Sequence, residues 1–292
     1  MDTVTIEEQL RHHVQMLAGD IGERNVFHPS ALQAAADYIG SEWHRQGYEV
    51  TPQPYEAKGV ECMNLEVSSM GRVQPEDIIL IGAHYDSVWG SPGADDNGSG
   101  VAALLELSRL FTQLEPAITV RFVAFVNEEM PFFARKTMGS LVYAKAARRR
   151  GDPIKLMVSL EMLGCYDSTP SSQKYPPLFR YFYPNRGNFI AFVSNLRSRR
   201  QLLRVVSAFR AQSDFPSEYV AAPAIVPGLA LSDHFSFWRQ HYPAIMITDT
   251  AFYRYRWYHT ALDTPDRLHY EAFARVTEGL YRAFAGLAGE RF

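Results

Sequence analysis

Short apolar runs alternate with amphipathic stretches along almost the whole chain, and this alternation restricts the fold more than any other feature. The run 78–83 is continuous rather than alternating, as expected of a strand covered on both faces. Helical spacing follows at 101–111, then an apolar run at 118–126, a helix at 137–149 and a third run at 154–160. The same order continues with a strand at 189–194, a helix at 197–209, a strand at 244–248 and a long amphipathic helix at 270–287. Such an order predicts an α/β fold of three layers, a mostly parallel mixed sheet with helices on both faces. Residues 48–55 and 63–68 read as strands near the sheet edge, because Pro52 and Pro54 interrupt the first. Ahead of them, 6–17 and 29–46 have helical spacing; Pro29 suits a first helical turn and Gly47 a stop. Segments 166–187 and 211–231, rich in Pro, Ser and Tyr, read as loops over one end of the sheet. There is no repeat or long linker, so residues 1–292 are expected to form one domain. A hydrophobic content of 47% is enough for a large core.

Composition excludes several classes. A net charge of -3 with 21% charged residues gives no footprint for nucleic acid or an anionic membrane. The cluster Arg148-Arg149-Arg150 closes a helical pattern, where cations complement a helix C-terminus. Cys62 and Cys165 are the only cysteines, which rules out a disulfide framework and a Cys-rich zinc module; one bridge between them stays open. No apolar segment reaches the roughly 18 residues of a membrane span. Met1-Asp2-Thr3-Val4 leads into a polar amphipathic stretch with no leader pattern, so a cytoplasmic location is expected, or a secreted one if a leader has been removed.

Polar residues able to bind a metal recur where the apolar runs end. His84 and Asp86 follow 78–83, Glu128 and Glu129 follow 118–126, and Glu161 follows 154–160. Open α/β sheets place their sites at the carboxyl ends of strands. Asp95 and Asp96 open the buried helix after the tight turn at Gly93-Ala94, and His259 lies in a late loop. Each alone has an ordinary explanation, such as a helix N-cap for Asp95-Asp96-Asn97. Their recurrence at successive strand ends points to a metal site built for hydrolysis.

His84-x-Asp86, Gly93-Ala-Asp95-Asp96-Asn97-x-Ser99-Gly100, Glu128-Glu129, Leu160-Glu161-Met162-x-Gly164 and Tyr258-His259-Thr260-x-x-Asp263-Thr264 together resemble the M28 family of zinc aminopeptidases, with the motifs in that family's order. The resemblance implies a zinc-exopeptidase-like fold and a peptide substrate. It implies two zinc ions bridged by Asp96, with His84 and Glu161 on one and Glu129 and His259 on the other. Two imidazoles and three carboxylates suit zinc, with cobalt or manganese as substitutes. Asp86 would orient the His84 imidazole. Glu128 would act as general base, taking a proton from the attacking water and delivering it to the leaving amine. Tyr258 would stabilise the tetrahedral oxyanion. Oligomeric state is not legible.

Two departures stand out. The family usually has Asp where this chain has Glu161, one methylene longer. Residues 130–137 separate the acidic pair from Met138-Gly139-Ser140, and this longer loop is expected to narrow the substrate cleft. His234 reads as a loop-structuring residue rather than a further ligand. Tyr175, Tyr181, Phe182, Tyr183, Phe252, Tyr253, Tyr255 and Trp257 are candidates for an apolar side-chain pocket. Three alternatives remain: a glutaminyl cyclase using the same fold with one zinc, a carboxypeptidase reading a substrate carboxylate through Arg135, Arg180 or Arg186, and a non-catalytic binding member.

Overall fold

The computed structural model describes residues 3–289; residues 1–2 and 290–292, the ends of the domain read from the sequence, lie outside the described residues. The strands are β1 (Thr51–Ala57), β2 (Val60–Ser69), β3 (Gln74–His84), β4 (Ile118–Phe125), β5 (Ile154–Glu161), β6 (Ile190–Ser194), β7 (Ser217–Ala221) and β8 (Ala244–Thr248). They form one sheet in the order β1-β2-β4-β3-β5-β8-β6-β7. Its centre, β4-β3-β5-β8, is parallel. On one side β2 pairs antiparallel with β4, and β1 with β2. On the other, β6 is antiparallel to β8 and β7 parallel to β6. Pro52 and Pro54 sit in edge strand β1, where a residue without an N–H costs least.

The helices are α1 (Thr3–Val14), α2 (Pro29–Arg45), α3 (Gly100–Phe111), α4 (Gly139–Arg150), α5 (Arg199–Gln212), α6 (His234–Arg239) and α7 (Tyr270–Gly289). α1, α3, α5 and α7 pack together on one face of the sheet, while α4 and α6 pair on the other. Successive residues of β3 divide between the layers: Ile79, Ile81 and Ala83 join the larger core, Ile78 and Leu80 the smaller. Both faces are covered, and the sequence accordingly shows no polar alternation there. Each large apolar side chain fully buried this way contributes about 1.5–3 kcal/mol. α3 is buried almost all round, Arg109 being its only residue with appreciable exposure.

Three features depart from the sequence expectation. The segment read as a loop at 211–231 contains β7, five residues between Pro216 and Pro223. It is only partly buried, so it carries no apolar run that would mark it as a strand. Helix α6 was not anticipated. The first helix continues through a wider helical turn, Gln15–Ile21. Cys62 and Cys165 are both free and buried, so the single bridge is not formed. Among the described residues, no helix is long and apolar enough to cross a membrane.

Candidate metal centre

Three neighbouring strands deliver the acidic and imidazole groups to one edge. His84 is the last residue of β3, Glu161 the last of β5, and Glu128-Glu129 follow β4. Asp96 comes from the irregular turn Ala94–Ser99 that enters α3, and His259 from the segment between β8 and α7. His84 Nε2 lies 3.5 Å from Asp96 Oδ1 and 3.4 Å from Glu161 Oε2. His259 Nε2 lies 3.1 Å from Asp96 Oδ2 and 3.4 Å from Glu129 Oε1. Two three-residue clusters result, His84–Asp96–Glu161 and Asp96–Glu129–His259, sharing the two oxygens of Asp96. Glu128 Oε2 stands 3.9 Å from His84 Nε2.

Hydrogen bonds from behind fix the His84 and Glu161 side chains and the backbones of Asp96, Glu128 and Glu129. His84 Nδ1 lies 3.2 Å from the Asp86 carbonyl, which can only accept, so the ring donates there and turns Nε2 toward the cluster. The sequence reading gave this orienting role to Asp86 as a side chain. Its carbonyl and its carboxylate both face the ring: Oδ1 lies 3.6 Å from His84 Nδ1, while Oδ1 and Oδ2 also accept the Glu128 and Glu129 N–H groups at 3.1 and 3.2 Å. Asp263 likewise accepts the Asp95 and Asp96 N–H groups, and Tyr255 donates to it. Glu161 accepts from Ser232 Oγ at 2.7 Å, which holds its longer arm in one position. Asn97 ties the α3 entry to the end of β5, donating to the Leu160 carbonyl and accepting from Met162. A Cβ on Gly100 would come within 2.6 Å of the Leu160 carbonyl, so this approach requires glycine. Asn127, Met162 and His259, beside or within the site, all have positive φ, a conformation that non-glycine residues hold only where surroundings enforce it.

Burial and crowding decide the electrostatics. Burial pushes Glu129 up to about 7, helped by Asp96 and opposed by His259. Burial, then Glu129 and Glu161, hold Glu128 well above the usual carboxyl range, against the pull of His84. Burial alone would lower His259, but Asp96 and Glu129 carry it to about 10. Protons thus remain on a cluster of like charges that has few other cations. His84 Nε2 and Glu129 Oε1 are buried without a hydrogen bond, although carboxylate and imidazole atoms stand 3.4–3.5 Å away. Imidazole nitrogens and carboxylate oxygens converging in this way, His84 Nε2 and Glu129 Oε1 unpaired among them, form a donor set that fits divalent cations of the zinc type.

The remaining predicted residues divide. Tyr258 stacks on His259, ring centroids 3.7 Å apart. His234 is buried with Nε2 2.7 Å from the Leu229 carbonyl, so it structures the 229–234 segment and joins neither cluster. A cleft of about 810 Å³, open to solvent, runs from Glu161 and Tyr258 along β8, β6 and β7. Of the proposed pocket aromatics Tyr175, Tyr183, Phe252 and Tyr253 line it. Tyr181, Phe182, Tyr255 and Trp257 do not, and Tyr255 is buried against Asp263. Arg135, Arg180 and Arg186 also lie outside its lining. Nor does 130–137 narrow this cleft: Phe133 stacks on Phe235 and Arg239 holds the Ala134 carbonyl, folding the segment onto α6.

Sequence reasoning missed Arg24 and Ser232. Arg24 is fully buried; its guanidinium donates to the carbonyls of Leu17, Gly22, Tyr85, Pro92 and Gly93, and its own carbonyl accepts from Ser87. Burial lowers it to about 10, and Asp263, Asp86, Asp96 and Glu129 work against that fall. Neither residue carries a motif; only the coordinates bring them to the site.

Residues 64–284 match the description Peptidase family M28. The chain is 42% identical over 284 residues to the uncharacterized protein YfbL of Escherichia coli, covering 94% of this chain and 86% of that one. It is 28% identical over 245 residues to the probable aminopeptidase YDR415C of Saccharomyces cerevisiae, covering 78% of this chain and 58% of the yeast protein. Among solved structures, BSAP, a zinc aminopeptidase from Bacillus subtilis, superposes with a TM-score of 0.77 at 14% identity, covering 97% and 95% of the two chains. A Bacteroides thetaiotaomicron glutaminyl cyclase gives 0.71 at 17% identity, covering 98% of each. These two likenesses establish the fold, whereas the family match spans most of the sequence and contains every residue of both clusters. The chain belongs to peptidase family M28 and is a hydrolase of that family.

Proposed function

We propose that residues 1–292 act as one metallo-aminopeptidase domain, hydrolysing the N-terminal peptide bond of peptides with two zinc ions and Glu128 as general base. The observation that carries this is Asp96, whose two carboxylate oxygens face His84 Nε2 and His259 Nε2 separately, so one residue joins both donor clusters. His84, Asp96 and Glu161 would hold one ion, and Asp96, Glu129 and His259 the other. When bound, the ions lower the pKa of water and polarise the scissile carbonyl.

The protein's own groups do the rest. Glu128 is not a member of either cluster and faces the same space, so its carboxylate is free to accept a proton from the attacking water. The same oxygen then delivers that proton to the leaving amine nitrogen. Asp86 fixes the Glu128 backbone and so sets the reach of the base. Glu128 and Glu161 also offer negative charge to the free α-amine of the substrate. Tyr258, seated on the His259 ring at the mouth of the cleft, would donate to the oxyanion of the tetrahedral intermediate.

Metal analysis run on the same sample as a screen of aminoacyl anilides, with and without chelator, tests the reading. Two zinc ions per chain and chelator-sensitive release of the anilide support it. One ion per chain with cyclisation of an N-terminal glutaminyl peptide would instead make the protein a glutaminyl cyclase.

A further inference from the structure

The cleft carries a carboxylate that the proposed hydrolysis does not use. Strand register aligns Glu161, Thr248, Ala191 and Glu218 in one row across β5, β8, β6 and β7. Paired residues share a sheet face, and all four line the cleft. The row therefore leads from a cluster residue, over the small side chains of Thr248 and Ala191, to Glu218. At about 4.8 Å per strand, the Glu161 and Glu218 backbones stand roughly 14 Å apart. An extended lysine or arginine side chain reaches about 6–7 Å from its Cα. That reach fits between a carbonyl held beside Glu161 and the Glu218 carboxylate.

Glu218 is half-buried, and among the described residues no side chain donates to its carboxylate or pairs with it. Burial pushes its carboxyl above the ordinary value, and Arg210 offsets this only in part. The Arg210 guanidinium is engaged by Ser217, through the Ser217 hydroxyl at 2.9 Å and its carbonyl at 2.5 Å. Ser217 precedes Glu218, so its side chain leaves the strand on the opposite face. Around the cleft three of the aromatic hydroxyls are spent on backbone carbonyls: Tyr175 on Pro184, Tyr183 on Tyr219 and Tyr253 on Pro227. Phe179 and Tyr175 both stack on Tyr183, centroids 5.9 and 5.8 Å apart. The walls thus present ring surface, which accepts a methylene chain and attracts a cation over its face. A leucine side chain would fill the apolar part and leave Glu218 desolvated without a partner, which is costly. A glutamate would meet like charge.

We propose that this cleft selects peptides whose N-terminal residue is lysine or arginine, with Glu218 as the specificity-determining residue that pairs with the side-chain cation. This rests on the aminopeptidase reading above.

The test uses the zinc-loaded full chain, as wild type, Glu218→Gln and Glu218→Lys. Turnover of Lys-, Arg-, Leu- and Glu-anilides is measured alongside calorimetric binding of lysine hydroxamate and leucine hydroxamate. Wild type is expected to prefer Lys and Arg. Glu218→Gln should lower kcat/KM for both by roughly 10- to 100-fold while raising that for Leu, and should weaken the lysine hydroxamate in parallel. Glu218→Lys should favour Glu-anilide over Lys-anilide. A wild type that prefers Leu, or a Glu218→Gln variant in which Lys and Leu fall together, overturns the assignment while leaving aminopeptidase activity standing. Absence of turnover on every anilide defeats the aminopeptidase reading instead. Equal binding of lysine hydroxamate by wild type and Glu218→Gln then overturns the role of Glu218 as well.

Discussion

Around β4-β3-β5, at the centre of the sheet, the Asp86 and Glu161 carboxylates are held by backbone amides and a hydroxyl, whereas at the β8-β6-β7 side long segments and half-buried tyrosines wall an open cleft. The first arrangement restrains the residues that carry the donor atoms, as metal binding and proton transfer demand. The second tolerates looser packing because it has only to accommodate a side chain. The proposed chemistry and the proposed selection would therefore rest on different kinds of structure, built side by side on one sheet edge.

The largest effect expected to test that division comes from Asp96. Replacing it with Asn should abolish activity and remove zinc from both clusters, read by metal analysis; retention of two ions would show that the clusters do not depend on a shared ligand. Glu128→Gln should leave zinc content intact yet lower kcat by about 10²- to 10⁴-fold. An unchanged kcat would move the proton-transfer role elsewhere. Ser232→Ala, which frees the longer arm of Glu161, should weaken binding of the zinc held by His84 and Glu161 by roughly 10- to 100-fold in a chelator competition. If affinity does not change, the metal end is less dependent on its supporting hydrogen bonds than described.

The smallest expected effect lies outside both ends. His13 is buried against Tyr38, and burial, then the nearby His12, Arg109 and Arg45, lower it from 6.5 to about 3. Its proton is therefore bound in the unfolded chain and refused in the folded one, so stability present above pH 6.5 is lost as the pH falls. Between pH 7 and pH 5 that loss is about 2 kcal/mol. Chemical denaturation at the two pH values should show wild type losing that much more than His13→Gln. A perturbed group remote from the chemistry then serves as a warning: burial by itself shifts ionisation, and only convergence with other donors marks a site.

The part of the fold legible in the sequence is the part where both sheet faces are covered. Residues 78–83 announce a strand because nothing polar interrupts them, and 118–126 and 154–160 do so because apolar residues still dominate around Thr119, Arg121, Lys155 and Ser159. The candidate metal-binding side chains follow because strand ends are where such folds expose them. β7 was invisible since its five residues are exposed in part on each side and carry no periodicity. Glu218 was overlooked for the same reason. Its meaning depends on cross-strand register, which no local pattern encodes. Asp86 was recognised as a positioning residue, but the division of labour between its carbonyl and its carboxylate became visible only in three dimensions.

Arg24 lies forty residues upstream of the region that matches the family, which begins at residue 64. Its guanidinium fastens the turn at Leu17–Gly22 to the backbone just after His84 and just before Asp96. Trimming an expression fragment to the homologous boundaries would discard this fastener and leave the loop between two cluster residues anchored at one side only. The leading segment is thus joined to the candidate metal centre by tether rather than by motif, and protein engineers choosing truncation or fusion points should carry it along.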